Sequence, residues 1–121
     1  MTLDTNILIA YLDGEQAVVD FILAQKVVGR ALFVSSISVA ELLSLPRLTE
    51  ADIKRMKDFI ANFISVPLDN ELAEPTAALR RYYKLTIPDA AIAATALTRQ
   101  SPLITRDLGF RKVRELTFID L

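Results

Sequence analysis

Short β-rich apolar runs alternate along the chain with longer stretches whose apolar residues recur at helical spacing. Residues 2–4 read as a first strand and residues 5–12 as a helix that stops before Gly14. A second helix is predicted over 15–28, with Ala17, Phe21, Ala24 and Val28 on one stripe and Gly29 as its stop. Residues 32–35 form the next strand, after which Ser36 or Ser38 opens a helix running to Pro46. Thr49 caps another helix, in which Ile53, Met56, Ile60 and Phe63 recur on one face. Residues 64–68 make a third strand; Pro67 cannot donate to a ladder, so this strand belongs at the sheet edge. Asp69 or Asn70 caps a helix to about Lys84, with Pro75 placed to kink it past its first turn. Pro88 starts a helix through Thr98 that is apolar nearly all round, and so deeply buried. Residues 103–105 and 116–119 are the last strands.

The order β-α-α-β-α-α-β-α-α-β-β predicts an α/β fold, a parallel sheet with helices on both faces. With 121 residues and no repeat or linker, the chain reads as a single domain over 1–121. Ligand sites in such sheets lie beyond the carboxyl ends of the strands.

Composition narrows the chemistry. The chain has no Cys and no His. Thiol nucleophiles, disulfide frameworks, thiolate or imidazole zinc sites and every histidine-based mechanism are thereby excluded. The three glycines build no GxGxxG or GxxxxGK[ST] phosphate cradle. Catalysis must run on carboxylates, hydroxyls, Lys, Arg, or a metal held by oxygen. The longest uncharged stretches, 31–40 and 59–68, are about half of what a membrane span needs. The acid-bearing start, MTLDTN, is unlike a signal peptide. The expected setting is therefore soluble and cytoplasmic.

A net charge of −1 hides an uneven distribution. Residues 1–79 hold 6 basic and 11 acidic groups, whereas residues 80–121 hold 8 and 4. Such a basic half either forms a phosphate-binding face or is a solvated surface with uneven charges.

Four acids stand in unusual places. Asp4 ends the first strand, where an acid also serves as a helix N-cap. Glu41 lies in an apolar turn, where Ser38-x-x-Glu41 also spells a capping box. Asp89 follows Pro88 in the first turn of the buried helix, a place the helix dipole favours for any acid. Asp107 ends the fourth strand, where it also fits a turn. Taken together, all four fall at strand carboxyl ends or at the helix starts beyond them. Adjacent strands are about 4.8 Å apart, so these groups can converge within several ångströms on one rim. A like charge about 6 Å away costs on the order of 3 kcal/mol at an effective dielectric of 20, which makes sense if a divalent cation sits among them. An all-oxygen set suits Mg²⁺ or Mn²⁺ rather than Zn²⁺.

These segments resemble a known family. Leu3-Asp4-Thr5-Asn6-Ile7-Leu8-Ile9, Ser38-Val39-Ala40-Glu41-Leu42, Pro88-Asp89-Ala90-Ala91-Ile92-Ala93-Ala94-Thr95-Ala96 and Thr105-Arg106-Asp107 are similar to the PIN domain, and within it most like VapC-type toxin ribonucleases of toxin–antitoxin systems. The resemblance implies a sheet of about five strands in the order 3-2-1-4-5 and Mg²⁺- or Mn²⁺-dependent hydrolysis of RNA phosphodiester bonds. It implies catalytic roles for Asp4, Glu41, Asp89 and Asp107, with Asp4, Asp89 and Asp107 on the metal. Asn6 and Thr105 match positions that orient the acids or the attacking water. It also implies an RNA substrate, a small antitoxin protein as partner, and a homodimer.

Arg80, Arg81, Lys84, Arg99, Arg106, Arg111 and Lys112 are the candidate phosphate contacts. Tyr82 and Tyr83 are either base-stacking groups or core residues. Two features depart from the family pattern: only three residues precede Asp4, and Pro75 interrupts a helical segment. Two other readings compete, a catalytically silent PIN-like binding module and a phosphoacceptor receiver domain. The receiver needs a Lys closing the last strand, where this chain has Asp120-Leu121.

Overall fold

The computed structural model describes residues 1–121. In chain order the elements are β1 (Thr2–Leu3), α1 (Thr5–Leu12), α2 (Gln16–Val27), β2 (Phe33–Ser35), α3 (Ser36–Leu43), α4 (Glu50–Ile60), β3 (Ile64–Val66), α5 (Asn70–Tyr83), α6 (Ile87–Thr98), β4 (Leu103–Ile104), a 3-10 turn (Leu108–Lys112) and β5 (Phe118–Ile119). All strand pairs are parallel, and the sheet order is β3-β2-β1-β4-β5. The third strand lies at an edge, as expected, although it ends at Val66 and leaves Pro67 just outside the ladder. The order also excludes a receiver domain, whose sheet runs 2-1-3-4-5.

Register explains the three layers. Leu3 pairs with Val34 on one side and Ile104 on the other, so the three side chains form a row on one face. They pack with Ile7 and Leu8 of α1, Val18 and Ile22 of α2, and Leu42 of α3. Leu103, one residue earlier on β4, faces the opposite side and packs with Ala90, Ala93 and Ala96 of α6, together with Phe110, Val113 and Leu116. Every residue of α6 from Ala90 to Ala96 is buried. Small side chains let that helix approach the sheet closely, and its one polar member there, Thr95, donates to Ala91 O at 2.8 Å.

Several sequence expectations need correction. The buried stripe of α2 is Val18 and Ile22, with Phe21 half-buried; Ala17, Ala24 and Val28 face solvent. Because α2 is apolar on more than one side, spacing alone does not choose its inner face. The cap of α3 is Ser35, whose hydroxyl accepts from Ile37 N at 3.2 Å, not Ser36 or Ser38, and the helix stops at Leu43 rather than Pro46. The last long helix, α6, starts at Ile87 rather than at Pro88, with Thr86 as its cap. Pro75 lies within α5, which continues to Tyr83 with a left-handed Lys84 behind it. Strands β1, β2, β3, β4 and β5 are each shorter by one or two residues than their apolar runs.

Candidate active site

Because β1 ends at Leu3, Asp4 falls just beyond the carboxyl edge of the central strand, at the start of α1. Its Oδ1 accepts from Thr5 N at 2.7 Å, so it does cap the helix. Its other oxygen is used differently. Oδ2 accepts from Thr105 Oγ1 at 2.6 Å. Thr105 follows Ile104, the register partner of Leu3, and so is delivered by the neighbouring strand. The Thr105 hydroxyl oxygen accepts in turn from Asp107 N at 3.0 Å.

Asp4 is 5% exposed and forms no ion pair. Its pKa is pushed up to about 6, chiefly by burial. The hydrogen bonds from Thr105 and Thr5 N oppose that rise, and the charges of Asp89 and Asp107 add to it. A carboxyl buried without a cation, with two further acids acting on it, is a poor design for a cap and a suitable one for a cation ligand.

Glu41 does not make the capping box its spacing spells. Residues three apart share a helix face, and Ser38 and Glu41 both meet Thr5. Thr5 Oγ1 lies 2.8 Å from Ser38 Oγ and 2.8 Å from Glu41 Oε1. The spacing therefore ties α3 to the start of α1. Thr5 was not singled out by sequence; its place beside Asp4 was the only signal.

Asp89 sits half-buried in the first turn of α6, its backbone N–H donating to Thr86 Oγ1 at 3.3 Å. Its pKa is raised, first by burial and then by the charges of Asp107 and Glu41; the Thr86 hydroxyl and the Lys112 ammonium pull the other way. Asp107 is exposed and closes a turn, Oδ1 accepting from Gly109 N at 2.8 Å. The charges of the four acids are linked through Asp89: Asp107 acts on both Asp4 and Asp89, Asp89 on Asp4, and Glu41 on Asp89.

No three acidic side chains stand close enough to clasp one ion as they lie. The donor chemistry nevertheless fits a hard divalent cation. Mg²⁺ keeps several waters and takes one or two carboxylates together with substrate phosphate oxygens, rather than a closed protein cage. Asn6 Oδ1, two residues past Asp4, is buried with no hydrogen-bond partner, an unusual cost unless a ligand or water completes it.

The candidate cations are scattered. Arg106 is held by Glu15 through two bonds of 2.7 and 2.8 Å and reaches Leu121 O. Arg111 pairs with Asp120 and lies over the Phe118 ring. Arg99, at the far end of α6, lies over Phe33 and about 15 Å along the helix from Asp89. Arg80 donates to Leu85 O at 3.2 Å. Arg81, Lys84 and Lys112 form no ion pair.

A family model described as PIN domain matches residues 1–116. A comparison with curated protein sequences finds no match. Among solved structures the chain is similar to a toxin–antitoxin complex from Klebsiella pneumoniae, at 28% identity and a TM-score of 0.81, covering 96% of this chain and 94% of that one. It is similar to FitAcB from Neisseria gonorrhoeae at 25% identity and a TM-score of 0.74, covering 98% and 95%. VapBC2 from Rickettsia felis, bound to a fragment of promoter DNA, shares the fold at 18% identity with a TM-score of 0.83, covering 98% and 96%.

Proposed function

The chain belongs to the PIN domain family, and from that premise we propose that it is a Mg²⁺- or Mn²⁺-dependent endoribonuclease of the VapC toxin type. The observation that carries this reading is Asp4: a buried carboxyl at the central strand end, fixed by two hydrogen bonds yet raised in pKa, with Asp89 and Asp107 acting on it.

Asp4, Asp89 and Asp107 would hold the cation, with Asn6 Oδ1 as a neutral oxygen nearby and Glu41 on the open side. A divalent cation supplies a lowered pKa for attacking water and neutralises charge on the phosphate. The protein's own part is positional. Thr105 fixes one oxygen of Asp4 and Thr5 N the other, so its orientation is set before substrate arrives. Thr5 steadies Glu41, leaving that carboxylate to orient water at the rim. Lys112, whose charge favours ionised Asp89, would be free to meet an RNA phosphate, since no carboxylate pairs it.

A neighbour described as a toxin–antitoxin complex supports a small antitoxin protein as partner; the reading also takes a homodimer as the assembly and a cytoplasmic setting. No helix is long and apolar enough to cross a membrane.

The spacing of the acids favours one rival, a PIN-like module without turnover, since no three of them meet as they lie. One experiment separates the two. EDTA should abolish cleavage of single-stranded RNA, and Mg²⁺ or Mn²⁺ should restore it. Mn²⁺ should also raise the melting temperature of the wild type, by about 3 kcal/mol of stability at a hundredfold excess over Kd, but not that of Asp4→Asn/Asp89→Asn/Asp107→Asn. Activity that survives thorough chelation, or an equal Mn²⁺ effect on both proteins, would remove the shared metal site.

A further inference from the structure

Tyr82 is 78% exposed, so of the two adjacent tyrosines it is the one outside the core. Its ring is braced edge-on against Tyr83, with centroids 4.7 Å apart and planes at 75°. Tyr83 is fixed in turn by donating its hydroxyl to Glu115 Oε2 at 2.6 Å. A large aromatic surface is thus held in solvent by a buttress, an arrangement that gives the folded core nothing.

Two concavities meet beside it. One, of about 550 Å³, is lined by Arg81, Tyr82 and Tyr83 with Glu115. The other, of about 430 Å³, is walled by Arg80, Arg81 and Lys84 and ends at Thr86. They share Arg81, and Thr86 is the cap that accepts from Asp89 N. The groove made of these two adjoining concavities has cations on its wall, an exposed ring at one end and, at the other, the cap of the helix that carries Asp89. Arg81 and Lys84 carry charges that no protein carboxylate pairs. Lys84 also occupies a left-handed position, with φ of 56°, that Gly or Asn fills at less cost. Glu115, the one acid in the groove, is engaged by Tyr83 at the aromatic end, so phosphates are favoured at the Thr86 end and a base at the tyrosine end.

We propose that this groove is the path of single-stranded RNA beside the cleaved bond, with phosphates on Arg81 and Lys84 and one base stacked on Tyr82. This rests on the ribonuclease reading and gives its single-stranded substrate a path, since an unpaired strand can offer a base face that a duplex keeps stacked.

The test is binding of a fluorescein-labelled single-stranded RNA to the full chain, followed by anisotropy in EDTA over a salt series. Tyr82→Ala should weaken binding about tenfold, and Tyr82→Trp should keep it. Arg81→Gln/Lys84→Gln should lower the slope of log K against log salt by about 1.4, while the α4 pair Lys54→Gln/Lys57→Gln leaves it unchanged. Tyr82 is exposed, so its loss leaves the fold intact, which a melt confirms. Wild-type affinity in Tyr82→Ala, or an equal slope change in the α4 pair, overturns the path while Mn²⁺-dependent cleavage still stands. Binding with these losses but no cleavage in Mn²⁺ keeps the path and overturns the nuclease. Tyr82-dependent binding of an acidic peptide in place of RNA overturns it in favour of a protein partner.

Discussion

The acidic rim has two unlike halves. On the closed half, Asp4 is buried and both of its oxygens are committed to donors from two elements. On the open half, Glu41 and Asp107 are exposed, and Asp89 is half-buried. The Thr5 hydroxyl meets the Glu41 carboxylate and the Gly109 amide meets that of Asp107, whereas at Asp89 the bond to Thr86 is made by the backbone N–H. Burial raises the proton affinity of Asp4 to a pKa of about 6, whereas the open acids stand in reach of solvent. The comparison teaches how one site divides its work: one carboxylate is placed by the sheet and buried, and the others are presented to solvent from helix and turn ends.

The largest expected effect breaks the closed half. Asp4→Asn keeps the cap, because Asn caps about as well as Asp, but removes the charge. RNA cleavage should fall on the order of a thousandfold, the size of several kcal/mol of lost charge stabilisation, with the helix content unchanged by circular dichroism.

The next effect is on stability against pH, measured without metal. Asp4 binds its proton more tightly folded (about 6) than unfolded (3.8). Its contribution to stability is therefore greatest below about pH 4, falls as pH rises through about 6, and is level above that. Asp4→Asn should gain on the wild type by up to about 3 kcal/mol across that window, read from urea melts. A flat difference would mean that the closed half carries no strain.

Thr105→Val tests positioning with the charge retained. It removes the donor to Asp4 Oδ2, one of the bonds that opposes the raised pKa. Cleavage should fall about tenfold, the scale of lost support behind a metal ligand, and the pH window of the wild type should move upward. The smallest effect belongs to the open half. A Cβ on Gly109 would stand 3.0 Å from Asp107 Oδ1, at an exposed turn. Gly109→Ala should change stability by less than about 0.5 kcal/mol yet reduce the Mn²⁺-induced rise in melting temperature, because the Asp107 side chain must shift.

The sequence by itself determined most of the elements and the rim. Apolar spacing, Pro67, Thr49 and Asp69 act within a few residues of where they stand, so α1, the start of α4, the edge strand and the cap of α5 were legible, while Phe63, read on the α4 face, lies beyond that helix's end at Ile60. The places of Asp4, Asp89 and Asp107 at strand and helix ends were legible for the same reason. Local patterns failed where two readings shared one spacing. Ser38-x-x-Glu41 fits a capping box and equally fits a face turned to Thr5, and α2 is apolar on both candidate sides. Only the tertiary structure decided those, along with which cations were already paired and which tyrosine stood in solvent. It also decided the proton affinity of Asp4, which depends on burial and on a hydroxyl 101 residues away in the chain. Burial and pairing are relations between distant residues, and they exist only once the sheet has set β4 beside β1.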